Sequence, residues 1–115
     1  MLRHTACNIT APMVDFELDE LKREFLAEAA EKVREIEAKL GDRSPESRER
    51  LSYLAHQLKG SGGSYGFQCI STEAAELEKA VEVAAEDEAL RTHVVSLRAE
   101  IDLRSRELVP HAARG

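Results

Sequence analysis

From Asp15 onward, apolar residues recur at steps of three and four. Leu18, Leu21, Phe25, Ala29, Val33, Ile36 and Leu40 are separated mainly by Glu, Lys and Arg. This spacing predicts a long amphipathic helix with one apolar stripe, with Gly41 placed to cap its C-terminus. Ser44-Pro45-Glu46 reads as a helix start: a capping hydroxyl, Pro at the first helical position and a carboxylate in the first turn. The stripe that follows is Leu51, Leu54, Ala55 and Leu58. Gly60, Gly62, Gly63 and Gly66 come next. Each glycine costs about 1 kcal/mol against Ala in a helix interior, so the second helix should end between Ser61 and Tyr65. Ser71 or Thr72 is expected to cap a third helix carrying Ala74, Leu77, Val81 and Ala84, its end marked only by Glu86-Asp87-Glu88. A fourth runs from about Glu88 to Leu108, with Leu90, Val94, Leu97, Ile101 and Leu108 on one face, and Pro110 stops it.

Connections are short, so successive helices should be antiparallel neighbours. The reading is an all-α, up-down-up-down four-helix bundle over residues 15–109. Residues 1–14, interrupted by Pro12, are read as an N-terminal tail or a short extra helix, and residues 110–115 as a C-terminal tail.

Composition narrows the function classes. Aromatic residues are 4% and Trp is absent, so the core must be built from Leu, Val, Ile and Ala, which suits packed helices. The net charge of −6 argues against a nucleic-acid binder and against docking on an anionic membrane. No apolar run approaches the roughly 20 residues that span a bilayer. Met1-Leu2-Arg3-His4-Thr5 lacks the apolar stretch of a signal peptide. Cys7 and Cys69 lie far apart; they leave a single disulfide open but do not suggest a secreted disulfide scaffold. The expected compartment is the cytoplasm.

The candidate chemistry lies at the end of the second helix. With residues about 100° apart around a helix, Leu54, Ala55 and Leu58 fall within about 60° of Leu51 and define the core direction. His56 lies about 140° from Leu51 and should face outward, with Lys59 on the same flank at about 80°. Gly60 and Gly63 line that flank at about 180° and 120°. Neutral imidazole is a good nucleophile at cellular pH. A nearby ammonium can stabilise a phosphoryl group's charge, and glycines allow another protein's backbone to approach closely. An exposed helix histidine with a lysine one turn on is usually a solvated pair, and glycines alone also fit a helix-terminating loop. Four glycines in seven residues at the end of a core helix nonetheless break local rules, as functional segments do.

The run His56-Gln57-Leu58-Lys59-Gly60-Ser61, followed by Gly66, resembles the His-x-Leu-Lys-Gly-Ser signature of histidine-containing phosphotransfer (HPt) domains. The resemblance implies a four-helix bundle that carries phosphate to or from the aspartate of response-regulator receiver domains. It implies that His56 is the phosphorylated residue, Lys59 the basic residue beside the phosphoryl group, Gly60 the small residue leaving room for the partner, and Gly66 the glycine near the turn into the next helix. Members of the fold also often set a Gln or Glu from the next helix against the imidazole, about twenty-two residues on, which here is Glu78. Glu78 is therefore expected to accept a hydrogen bond from His56 Nδ1, leaving Nε2 as nucleophile; a solvated Glu is the bland alternative. Gly63, Tyr65 and Gly66 are candidates for the surface a partner approaches. Gly62-Gly63-Ser64-Tyr65-Gly66-Phe67 is also similar to the phosphotransfer domain of chemotaxis histidine kinases. The chain is accordingly read as a stand-alone relay protein, or else as a phosphoacceptor fragment of a larger histidine kinase.

No autonomous catalysis is expected. Lys59 precedes the glycines instead of following them, so the segment is no P-loop. No cofactor is expected on this chain; Mg²⁺ would sit on the partner receiver. An open reactive face implies a monomer. Two other classes stay in view. One is a helical interaction module that is never phosphorylated. The other is a metal site, for which His4, Cys7, His93 and His111 are the remaining ligand candidates; only His4 and Cys7 are close in sequence, and no such site is expected.

Overall fold

The computed structural model describes residues 16–108. The tails expected at residues 1–14 and 110–115 lie outside them. Four helices follow one another: α1 (Phe16–Lys39), α2 (Pro45–Ser64), α3 (Gln68–Glu82) and α4 (Asp87–Glu107). Each packs against its neighbours in the chain, and α1 closes the ring on α4, as an antiparallel up-down-up-down bundle requires.

The core stripes meet along the axis. Fully buried side chains come from all four helices and include Leu26, Ile36, Leu54, Leu58, Ile70, Leu77 and Leu97. The α1 stripe differs from the sequence reading in one respect. Leu21 is 46% exposed, while Leu26, outside the expected stripe, is 2% exposed. Around α1 the buried residues from Phe25 to Leu40 centre on a direction that Leu26 approaches within about 50° and Leu21 misses by about 90°.

The helix ends explain the connections. Ser44 caps α2, its side chain accepting from Ser47 N–H at 3.2 Å with Pro45 behind it. Asp42 completes this turn: it accepts from Ser44 N–H at 2.9 Å and from Ser47 Oγ at 2.7 Å. These donors, the Ser44 backbone N–H first, hold the Asp42 carboxyl below its ordinary range. Gly41 lies in the turn after α1 but keeps a negative φ, so no left-handed cap forms there.

At the other end of α2, Gly66 has φ +86°. Phe67 N–H donates to Gly62 O at 2.8 Å and Gly66 N–H to Gly63 O at 3.1 Å, the paired bonds of a Schellman motif. The end of α3 makes the same motif without glycine. Ala84 takes φ 56°, and Ala85 N–H reaches Ala80 O at 3.0 Å. Ala84 is thus an exposed turn residue, not the core position expected, and Ala80 takes its place. α3 also begins earlier than expected, at Gln68, with no side-chain cap at Phe67. Ser71 lies inside the helix and donates its hydroxyl to Lys59 O on α2 at 2.8 Å.

One core-register position carries a charge. The Arg104 side chain is only 7% exposed, with Nε 2.9 Å from Glu100 Oε2 and Nη1 2.9 Å from Glu107 Oε1. The first of these contacts is close but poorly aligned: neither Arg104 Nε nor Glu100 Oε2 makes a well-directed hydrogen bond.

Candidate functional site

His56 stands on the outer side of α2, and its side chain is 65% exposed. The residues around it face inward: Leu54, Ala55 and Leu58 are all buried. Lys59 is one turn further along α2, at 40% exposure. Opposite them, α3 presents Glu78. Its side chain is only 16% exposed, and each carboxylate oxygen meets a different partner: Oε2 lies 3.1 Å from His56 Nδ1, and Oε1 lies 3.2 Å from Lys59 Nζ.

The fold sets this triad through neighbouring contacts. Leu77, next to Glu78, is 1% exposed, which pins the α3 backbone at the rim of the core. The hydroxyl of Ser71 ties α3 to the carbonyl of Lys59, the residue that faces Glu78. Gly62 brings the two helices together. It is buried, and a Cβ there would lie 3.2 Å from both Ile70 Cγ2 and the backbone N of Ser71. Ser71 and Gly62 were not among the expected site residues. Gly62 left a signal, since it falls about 20° from Leu51 on the α2 wheel and so occupies a core position with no side chain. Ser71 left none, because its partner is a backbone carbonyl on another helix.

The expected approach residues separate into different environments. A Cβ on Gly60 would meet nothing within 4 Å, so the surface beside His56 is open there. Gly63 is exposed, and a Cβ would make ordinary contact with Ser71 Oγ at 3.6 Å. Gly66 is exposed, and its positive φ accounts for a glycine whether or not a partner approaches. Tyr65 is half-buried and stacks on Phe25 of α1, ring centroids 5.2 Å apart; Phe67 also stacks on Phe25, at 5.8 Å. On the α1 side of His56, Gln57 donates to the Tyr53 hydroxyl at 2.9 Å, and Arg50 lies over the Tyr53 ring while pairing with Glu35 at 2.7 Å. That hydrogen-bonded pair holds the Glu35 carboxyl below its ordinary range.

The arrangement suits nucleophilic chemistry at one atom. If Nδ1 carries the proton and donates to Glu78, Nε2 presents its lone pair to solvent. The Lys59 ammonium is held on the same carboxylate, 3.2 Å from Glu78 Oε1, at the end of a flexible stem.

In comparison with known families, the sequence model described as Hpt domain matches residues 20–107, most of the chain. Comparison with curated proteins and with solved structures found no match.

Proposed function

Because the chain belongs to the Hpt domain family, whose members carry phosphoryl groups on histidine in two-component phosphorelays, we propose that His56 is its phosphoacceptor and exchanges the group with the aspartate of a receiver domain. The observation that carries this reading is the exposed imidazole whose Nδ1 lies 3.1 Å from a largely buried carboxylate.

In the step proposed, Nε2 of neutral His56 attacks the phosphorus of the partner's phosphoaspartate in line. The Nε2–P bond forms, the aspartyl O–P bond breaks, and the electron pair leaves with the aspartate carboxylate. The proton on Nδ1 stays in place. The ring becomes cationic as its lone pair is used, and Glu78 compensates that charge from 3.1 Å. Lys59 starts paired with Glu78 Oε1 and needs only a rotation of its stem to meet the phosphoryl oxygens. The return transfer reverses each change. Mg²⁺ and the remaining cation come from the receiver, and this chain acts as a carrier, not a catalyst. A partner reaches Nε2 over the open surface at Gly60. An open reactive face fits a monomer, and exchange with receiver and kinase partners fits a cytoplasmic protein.

Incubation with a phosphorylated receiver, or with a small phosphodonor, should give an acid-labile, base-stable adduct that disappears in His56→Ala. An adduct that persists in His56→Ala would overturn the assignment of the residue. No adduct with several competent receivers and donors would favour an interaction module that is never phosphorylated. Glu78→Ala should slow phosphorylation of His56 by about tenfold, the value of one hydrogen bond to a charged group; an unchanged rate would remove Glu78 from the mechanism.

A further inference from the structure

A second group of ligating side chains lies away from His56. Glu73 and Glu76 stand one turn apart on α3, and His93 reaches toward them from α4. One ligand atom from each lies within 4.8 Å of the others. His93 Nδ1 is 3.9 Å from Glu76 Oε1, too long for a hydrogen bond, so the imidazole is not committed to that carboxylate. Among the described residues, no lysine or arginine stands within ion-pair distance of Glu76. Glu76 and Glu78 are two residues apart and so point about 200° apart around α3, which places this cluster on a different flank from the His56–Glu78 contact.

From this geometry we infer that Glu73, Glu76 and His93 bind a zinc ion that clips α3 to α4. The donor set selects the metal: Ca²⁺ and Mg²⁺ take oxygen ligands, whereas an imidazole with two carboxylates suits Zn²⁺. Three protein ligands leave the fourth tetrahedral position to water, which the groove lined by Lys59, Ser71, Thr72, Glu76, Lys79 and His93 admits. Zinc bonded at about 2.0–2.1 Å to each donor requires donors about 3.4 Å apart, so side-chain ends need to move by little more than about 1 Å. Both ligand-bearing helices pack directly on each other, which holds the three groups in this register. Ligand spacing in the sequence did not reveal the cluster, because the bundle, not a short motif, pairs His93 with α3.

Calorimetric titration of the full chain with Zn²⁺ should show one ion bound per chain, and Zn²⁺ should raise the Tm, since binding energy to a site absent from the unfolded chain adds to stability. Affinity should fall at least about tenfold in His93→Ala and in Glu76→Gln. It should be unchanged in His56→Ala, in His4→Ala and in His111→Ala. Co²⁺ in place of Zn²⁺ should give visible absorption bands that are lost in His93→Ala. Circular dichroism of each variant without metal checks that it is folded, and Glu73→Gln supplies a further variant should one fail. No binding at about 100 µM Zn²⁺ would overturn the inference, as would undiminished binding by His93→Ala or loss of binding in any of the three control variants. Phosphotransfer by His93→Ala is predicted to persist, so failure here and failure of the His56 reading are separable.

Discussion

Gly60 and Gly62 sit two residues apart in α2, and the same substitution should act on them in opposite directions. At Gly60 an added methyl meets nothing within 4 Å. Gly60→Ala should therefore gain the helix-propensity difference of about 0.5–1 kcal/mol. For a domain of this size that is a Tm rise of about 2–8 °C. At Gly62 the methyl lands 3.2 Å from Ile70 Cγ2 and from the backbone N of Ser71. The Ile70 side chain can shift slightly; the backbone of Ser71 cannot, because its own side chain is bonded to Lys59 O at 2.8 Å. Overpacking of this kind costs about 1–3 kcal/mol, and taking the middle of each range leaves a net cost of about 1 kcal/mol after the propensity gain. Gly62→Ala should therefore lower the Tm by about 4–8 °C. Far-UV circular dichroism melts measure both. Phosphotransfer from a receiver then separates clearance from folding: Gly60→Ala should be more stable yet slower in transfer, because the methyl stands where the partner approaches. A destabilised Gly60→Ala would refute the reading of open space at that position. A stabilised Gly60→Ala with unaltered transfer would refute the reading that this glycine makes room for the partner.

Three further outcomes follow from the helix ends and ties. Gly66→Ala should cost about 1–2 kcal/mol in urea unfolding, because an L-residue must hold φ +86°. Ser71→Ala removes the bond to Lys59 O and should cost about 1 kcal/mol in the same assay. Asp42 and Glu35 both have carboxyls held below their ordinary ranges, by the Ser44 backbone N–H and by Arg50 respectively. Their stabilising effect is present above the unfolded-state values and is lost as pH falls from those values through the lowered folded-state ones. The Tm should therefore drop between about pH 5 and pH 3, with a shallower drop in Asp42→Asn.

The bundle was legible because its signal is redundant. Each helix repeats its apolar stripe over several turns, so a single misplaced residue such as Leu21 changes nothing at the level of fold. The α2 start was legible because Ser44 and Pro45 act within their own turn. What escaped the sequence depends on contacts made by the fold. Ala84 ends α3 at φ 56° with no glycine to announce it. Ser71 resembles a cap yet bonds across to α2. Arg104 occupies a core register because Glu100 and Glu107, one turn before it and just under one turn after, supply its partners. Glu78 came from family resemblance, not from spacing. Nothing local in α3 marks it off from Glu73, Glu76 or Glu82; only the register of α3 against α2 brings it to His56.

That register decides what the site can do. Glu78 faces two groups with one carboxylate, an oxygen to each. In the resting protein the Lys59 ammonium already balances its charge, so the histidine does not have to be protonated for the carboxylate to be satisfied. The ring can then stay neutral and nucleophilic while still donating from Nδ1. On the proposed reading, transfer redistributes these contacts instead of adding new ones. The ring turns cationic and takes a larger share of Glu78, which frees Lys59 for the phosphoryl oxygens. A Lys59→Ala variant tests this coupling. It should lose stabilisation of the phosphorylated state, and it should also leave Glu78 with the imidazole as its only cationic partner in this triad. Because both groups use the one carboxylate, Lys59→Ala and Glu78→Ala should act non-additively on the rate of His56 phosphorylation by a receiver, with a coupling of about 0.5–3 kcal/mol in a double-mutant cycle. Additive effects would show that Lys59 and His56 do not share Glu78, and that the 3.2 Å contact between Lys59 and Glu78 has no part in transfer.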